Sequence, residues 1–291
     1  MVARAGCKAV AVLRTLSGAR SLGPGDFSAA LDLCAVDPLA NVFVAARLLE
    51  GGPAFAGALL GVDEGHRLRS MCWTSANVVP IGADDAALDS FASRLRRKRR
   101  RCSSIFGDAD QVLGLWARLE RHWGDARSVR RDQPMMAVSS VPAAGSGTID
   151  HRVRRARLDE VDQVLPASAS MFAEEIGYPP FVGSDRDYRR MVTSLISAGH
   201  TFVVTEGHRV IFKADIGSLA AGVAQLQGVW VAPDRRGQGL ATPAMRSVVQ
   251  QIIETVAPTV TLYVNSYNEP ALRTYRAAGF RQVGRFATVI L

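Results

Sequence analysis

Residues 227–243 read QGVWVAPDRRGQGLATP, and their types and order suit the capture of an anion. A β-favouring apolar run stops at Pro233, and Arg235 and Arg236 precede Gly237-Gln238-Gly239. Pro243 lacks an N–H and fits only the first helical turn, so a helix must begin within about four residues upstream of it. The N–H groups of Gln238 to Thr242 then project from a helix N-terminus, where they and the positive dipole end favour a diphosphate. Gly237 and Gly239 let the backbone turn and approach such a group without a Cβ in the way. Two familiar phosphate loops are excluded. G-x-x-x-x-G-K-[ST] is absent, and the stretch lacks the third glycine of G-x-G-x-x-G. Only 52 residues follow Gly239, too few for the strand–helix units of a dinucleotide fold.

Arg236-Gly237-Gln238-Gly239-Leu240-Ala241 matches R/Q-x-x-G-x-G/A, and GVWVAPDRR before it and LYVNSYNEPALRTYRAAGFRQVG after it extend the match. Over about residues 151–291 the chain resembles the GNAT (GCN5-related N-acetyltransferase) superfamily. As a whole it is similar to two-domain, actinobacterial-type members with a degenerate GNAT-like N-terminal half. The resemblance implies acetyl-CoA as co-substrate and an amine acceptor, on a small molecule or a protein. It implies that the pantetheine arm pairs with the backbone of Val229, Trp230 and Val231, that residues 236–242 (Arg236 to Thr242) hold the diphosphate, and that Asn265 and Asn268 border the cofactor.

Acetyl transfer to an amine needs a neutral nucleophile and a proton for the departing thiolate. A lysine-like amine titrates near about 10.4, so a base must take its proton. The family's tyrosine corresponds to Tyr275, the candidate acid; with Ala271, Leu272 and Ala278 it also lies on an apolar helix face and can serve as core. Histone-type members carry a glutamate near the position of Gln225, and an amide cannot act as a base. Glu174, Glu175 and Asp215 are the alternatives, as are ordered water and, for each carboxylate, a solvated or ion-paired role. Lys213 shares a strand face with Asp215 and can pair with it or bind an acidic acceptor. No cysteine falls in the matched motif, so the implied chemistry is direct attack in a ternary complex. A non-catalytic acyl-CoA-binding regulator is the alternative that Gln225 raises.

The elements that must position these residues are α+β in order, with helices and mainly antiparallel strands mixed in both halves. In residues 1–137, Asp26 and Asp37-Pro38 each precede helical spacing and are N-cap candidates. β-like runs follow at AGALLGV, RLRSMCW and NVVPI. A helix over DDAALDSFASRLRRK, a strand CSSIFG, a helix DQVLGLWARLERHW and a strand PMMAVS complete this half. Residues 138–150, VSSVPAAGSGTID, are small and Gly/Pro/Ser-rich and form the expected linker. Residues 151–291 then offer a strand HRVRRAR, helices from near Asp159 and over DYRRMVTSLISAG, and strands TFVVTEG, RVIFKADIG and AAGVAQLQGVWV. After the glycine loop come a helix to about Val256, a strand TVTLYVN, a helix NEPALRTYRAAG and a last strand FRQVGRFATVIL. The expectation is two GNAT-like domains, the second carrying the chemistry and the first shaping the acceptor groove.

Composition narrows the class further. Apolar residues make up 48% of the 291, enough for proper cores, and no run approaches the roughly 18 residues of a membrane span. The start MVARAGCKAVAVLR is too short in its apolar part for a signal h-region and reads as a first strand or ragged start. Cys7, Cys34, Cys72 and Cys102 lack C-x-x-C pairs, and the five histidines lack ligand spacing, so a cytoplasmic protein without a metal is expected. No G-x-S-x-G elbow supports hydrolysis. The net charge of +8 is shared evenly, with 19 basic against 15 acidic residues in 1–150 and 16 against 12 beyond. Seven of the basic residues fall in 94–101, at a helix end where cations favour the dipole. A solvated helix end is the simpler reading; an RNA-associated acetyltransferase is the alternative, against which stands the lack of interleaved aromatic residues.

Overall fold

The computed structural model describes residues 18–97, 101–140 and 147–291. The N-terminal start with Cys7, residues 98–100 of the basic run and residues 141–146 of the expected linker lie outside them.

The first half runs β1 (Arg20–Ser21), α1 (Phe27–Ala35), α2 (Pro38–Gly51), β2 (Leu59–Glu64), β3 (Arg67–Thr74), β4 (Asn77–Ile81), α3 (Asp85–Arg96), β5 (Ser104–Asp108), α4 (Ala109–Trp123) and β6 (Ser128–Val138). The second runs β7 (Arg154–Arg155), α5 (Val161–Ile176), α6 (Arg186–Ser197), β8 (Thr201–Glu206), β9 (Arg209–Ala220), β10 (Val223–Val231), α7 (Ala241–Thr255), β11 (Thr259–Tyr263), α8 (Glu269–Ala277) and β12 (Arg281–Ile290). Carboxylate caps set several helix starts: Asp37 accepts from the Ala40 amide at 3.0 Å and Asp84 from the Ala87 amide at 2.9 Å, each satisfying an orphan donor of the first turn. Asp26, expected to cap α1, does not do so. Its carboxylate faces backward, accepting from the Gly23 amide and from Arg20. The strand expected over HRVRRAR shrinks to the two residues of β7.

The twelve strands of the described residues form one sheet, in the order β1-β2-β3-β4-β5-β12-β6-β11-β10-β9-β8-β7. Only β4/β5 and β10/β11 are parallel. The expectation was two GNAT-like domains, each with its own mixed, mainly antiparallel sheet. Instead β12 lies between β5 and β6, and β6 lies between β12 and β11. Each closing strand thus borders the other half's sheet, and the halves 1–137 and 151–291 are units of sequence that share one sheet. The end of the expected linker is also packed: Asp150 donates from its amide to Pro243 O and exchanges hydrogen bonds with Ser247 along α7.

The core follows the sheet. Ala287 and Val289 of β12 pack with Leu88, Phe91, Leu115 and Trp116 of the first half, while Ala220 and Val223 of the second half pack with α2. A larger cluster fills the second half between α5, α7 and the sheet.

Candidate functional site

The site begins where two strands part. β10 pairs with β11 only from Val223↔Thr259 to Gln225↔Thr261, whereas β11 continues to Tyr263 against β6. On its other edge β10 stays with β9 as far as Val231↔Phe212, but the register slips between Gln227 and Trp230. Gly228 and Val229 stand opposite the single Ala214 in this bulge, and Gly228 adopts φ +60°, a conformation that costs glycine little. Beyond Gln225 one edge of β10 is therefore free of β11, and an extended amide-bearing chain can add to such an edge as a strand does.

Below the opening the chain passes a short 3-10 turn at Pro233–Arg235 and enters the glycine loop. Gly237 and Gly239 have φ +73° and +79°, and nothing lies within 4 Å of where their Cβ atoms would be. No side chain caps α7, so the N–H groups of its first turn are left for another partner. The loop is closed by Gln238, whose side chain donates to Asp234 O at 2.7 Å. Arg236 turns back to the strand instead of out over the loop, donating from Nε to Val231 O (3.0 Å) and from Nη2 to Glu174 Oε2 (2.7 Å). Glu174 also accepts from Trp230 Nε1 at 3.2 Å. The Val231 carbonyl, expected to face the pantetheine, is thus engaged by an arginine. A cavity of about 610 Å³ adjoins Gln238, Gly239, Leu240 and Pro243. Its other walls are residues 148–152, Glu206, Ile211 and Arg235, and none of the residues of the opened strand edge lines it.

Tyr275 sits on α8, whose start Asn268 caps by accepting from the Ala271 amide at 3.2 Å. The ring is buried. Burial, and after it the negative charge of Glu175, push its phenol well above the usual range, so it stays protonated throughout neutral pH. Tyr263 on β11 is pushed up to about 12 by burial and Glu175, against the opposing charge of Arg130. Asn265 uses its side-chain oxygen to accept from Gln133 Nε2 of β6 (2.9 Å), and Gln133 in turn accepts from Thr288 of β12. That places Asn265 in the stitching of the three central strands.

The carboxylates separate clearly. Glu175, in the last turn of α5, is held by Arg130 of β6, which donates to Oε1 at 3.3 Å and to the Glu175 carbonyl at 2.5 Å. Asp215 is 4% exposed and Lys213 is 0% exposed; the ammonium donates to Asp215 Oδ2 and to Gly228 O at 3.3 Å. Asp215 Oδ1 is buried without a hydrogen-bond partner. Beside the pair, Tyr188 donates to Ser168 O at 2.8 Å and is pushed up to about 12 by burial and the Asp215 charge. Gln225 occupies the last paired position before the strands part. Reading the sequence did not single out Arg130, Gln133 or Tyr263, since nothing local announces that β6 passes the end of α5.

Among its described residues the first half has no such loop. Only Gly82, Ala83 and Asp84 join β4 to α3, and the Asp84 carboxylate occupies the helix N-terminus with Asp85 beside it, a repulsive setting for an anion. Of the basic run, Arg94 donates to Ser21 Oγ and Arg96 to Arg118 O. Cys34 and Cys72 are buried, and burial pushes the Cys34 thiol up to about 12. Among the described residues no group of three His, Cys, Asp or Glu could hold a metal ion, and no helix is long and apolar enough to cross a membrane.

A splayed parallel strand pair leading through a glycine loop into a helix, set in one sheet with a first half that has its own parallel pair but no such loop, defines a tandem α+β protein of the GNAT fold. Residues 170–280 match the Acetyltransferase (GNAT) family; residues 57–164 match a Domain of unknown function (DUF4081). A 52-residue stretch is 40% identical to a mycothiol acetyltransferase of Corynebacterium aurimucosum, covering 18% of this chain and 17% of that relative's length. Among solved structures, a GCN5-related N-acetyltransferase from Sphaerobacter thermophilus is 17% identical with a TM-score of 0.57, covering 94% of each chain. A tandem GNAT protein from the clavulanic acid biosynthesis pathway is 14% identical with a TM-score of 0.54, covering 95% of this chain and 98% of its own. At these identities the likeness is one of fold.

Proposed function

We propose that the protein is an acetyl-CoA-dependent N-acetyltransferase of the cytoplasm, transferring an acetyl group to a primary amine by direct attack in a ternary complex. The observation that carries this reading is the free edge of β10 running into an uncapped helix N-terminus through two glycines with open space above them. The residues fit the co-substrate: the Val229–Val231 edge suits an amide-bearing arm, and the amides of Gly237 to Thr242 suit a diphosphate. Bound there, acetyl-CoA supplies an activated acetyl group and a thiol that leaves.

The chain's own groups handle the protons. Asp215 Oδ1, buried and unpartnered, accepts the acceptor's ammonium and its proton. Tyr275 holds a proton on its hydroxyl and delivers it to the departing sulfur. Glu175, paired with Arg130 and half exposed, acts through its charge on the tyrosines and not as the base. Arg130 brings the first half to the edge of the acceptor groove. A small-molecule or protein amine is the acceptor class.

Gln225, an amide where the family's base can stand, favours a second reading, an acyl-CoA-binding regulator without turnover. Thiol release from acetyl-CoA with a panel of amines separates the two: an enzyme frees CoA in step with one amine, and a regulator binds without release. Binding itself is read from thermal unfolding, since ligand at 100 times its dissociation constant stabilises by about 2.7 kcal/mol. An unchanged melting temperature in protein freed of CoA overturns both readings.

A further inference from the structure

Lys213 and Asp215 interrupt a strand that otherwise reads Val210, Ile211, Phe212, Ala214 and Ile216, all buried. A buried ion pair seldom stabilises more than apolar residues of the same volume would, so its presence points to something it holds. The Lys213 ammonium donates both to Asp215 Oδ2 and to the carbonyl of Gly228. Gly228 is the φ +60° residue that lets β10 run ahead of β9. A Cβ at that position would come 2.9 Å from Asp215 Oδ2, 3.1 Å from Lys213 Nζ and 3.1 Å from Met171 Cε of α5. The pair, the bulge and α5 are therefore packed into one unit. Lys213 is in register with Trp230, beyond the slip, and Asp215 with Gln227, before it. The two side chains thus span the irregularity from the neighbouring strand.

We propose that Lys213 is a positioning residue that clamps the β10 bulge, and through it sets the opening between β10 and β11, with Asp215 fixing the clamp. The inference rests on reading that opening as the acyl-CoA site. With the clamp removed, the Gly228 carbonyl loses its buried donor, and the bulged segment exchanges among conformations of which only some leave the edge of β10 correctly placed.

The test is made on the full chain with Lys213→Met, which keeps length without charge, and Lys213→Gln, which can still donate to Gly228 O. Calorimetric titration with CoA should show binding weakened about tenfold in Lys213→Met, equivalent to about 1.4 kcal/mol, and partly recovered in Lys213→Gln. Hydrogen exchange without CoA should quicken in peptides covering 226–232 and stay unchanged in those covering 201–206. If Lys213→Met does not fold, the Lys213→Met/Asp215→Leu pair, which leaves no lone buried charge, takes its place in both measurements. CoA binding equal to wild type, or a loss of protection spread evenly over the second half, overturns the clamp. If the wild-type protein itself fails to bind CoA, the cofactor reading falls, and the exchange data alone still decide whether Lys213 holds the bulge.

Discussion

At the scale of single residues, two side chains carry opposite kinds of prediction. Tyr275→Phe keeps the ring against Phe280 and Leu272 and removes only the hydroxyl. Turnover should fall by about 10²- to 10⁴-fold, with CoA affinity and melting temperature nearly unchanged; a Phe variant with wild-type turnover removes Tyr275 from the proton path. Asp26 concerns stability alone. Hydrogen bonds from Arg20 and the Gly23 amide hold its carboxyl down at about 2, against about 3.9 in an unfolded chain. Its contribution is therefore complete above the unfolded value and disappears as the pH falls through the folded one. The melting temperatures of wild type and Asp26→Asn should differ at pH 5 and converge toward pH 2, and added salt should shrink the difference because both partners are partly exposed. The sequence alone marked Tyr275 and the want of a base at Gln225. It could not show that Glu175 is tied to Arg130, because 45 residues and a half boundary separate them.

At the scale of elements, the glycine loop makes the next prediction. Gly239 has open space but a positive φ, so Gly239→Val meets no neighbour and instead strains the loop and covers its amides. CoA affinity should drop in a calorimetric titration while circular dichroism stays native; unchanged affinity removes the diphosphate from this loop. Helix and strand order were readable because periodicity and caps are local: the runs around Leu59–Glu64, Asp85–Arg96 and Glu269–Ala277 all lie where apolar spacing put them. The family resemblance implies a bulge in this strand, but its place was not readable from the residues, since Gln227-Gly228-Val229 looks like uninterrupted strand until Lys213 is seen reaching across from β9. Asp26 failed as a cap for a related reason: Arg20 on β1, a strand in a segment with little pattern, competes for the same carboxylate.

At the scale of the whole molecule, the crossed closing strands make each half incomplete alone. Residues 147–291 expressed separately lack β6 and leave β11 and β12 with bare edges, so they should fail to give a native near-ultraviolet spectrum, and supplying residues 1–140 in trans should restore it. The intact chain should unfold in one calorimetric transition, not two. Pairing of this kind lies between residues 104–108 and 281–290, too far apart for any sequence pattern to announce. It also imposes an order on synthesis. A ribosome adding about 5–20 residues per second needs roughly 7–30 s to go from β6 to β12. For that interval the nascent first half stands with the flank of β5 bare, an adhesive edge that invites a neighbouring chain on the same messenger. A holdase occupying that edge, or slow codons placed elsewhere than between these two strands, would decide how much of the newly made protein pairs with itself and how much with its neighbour.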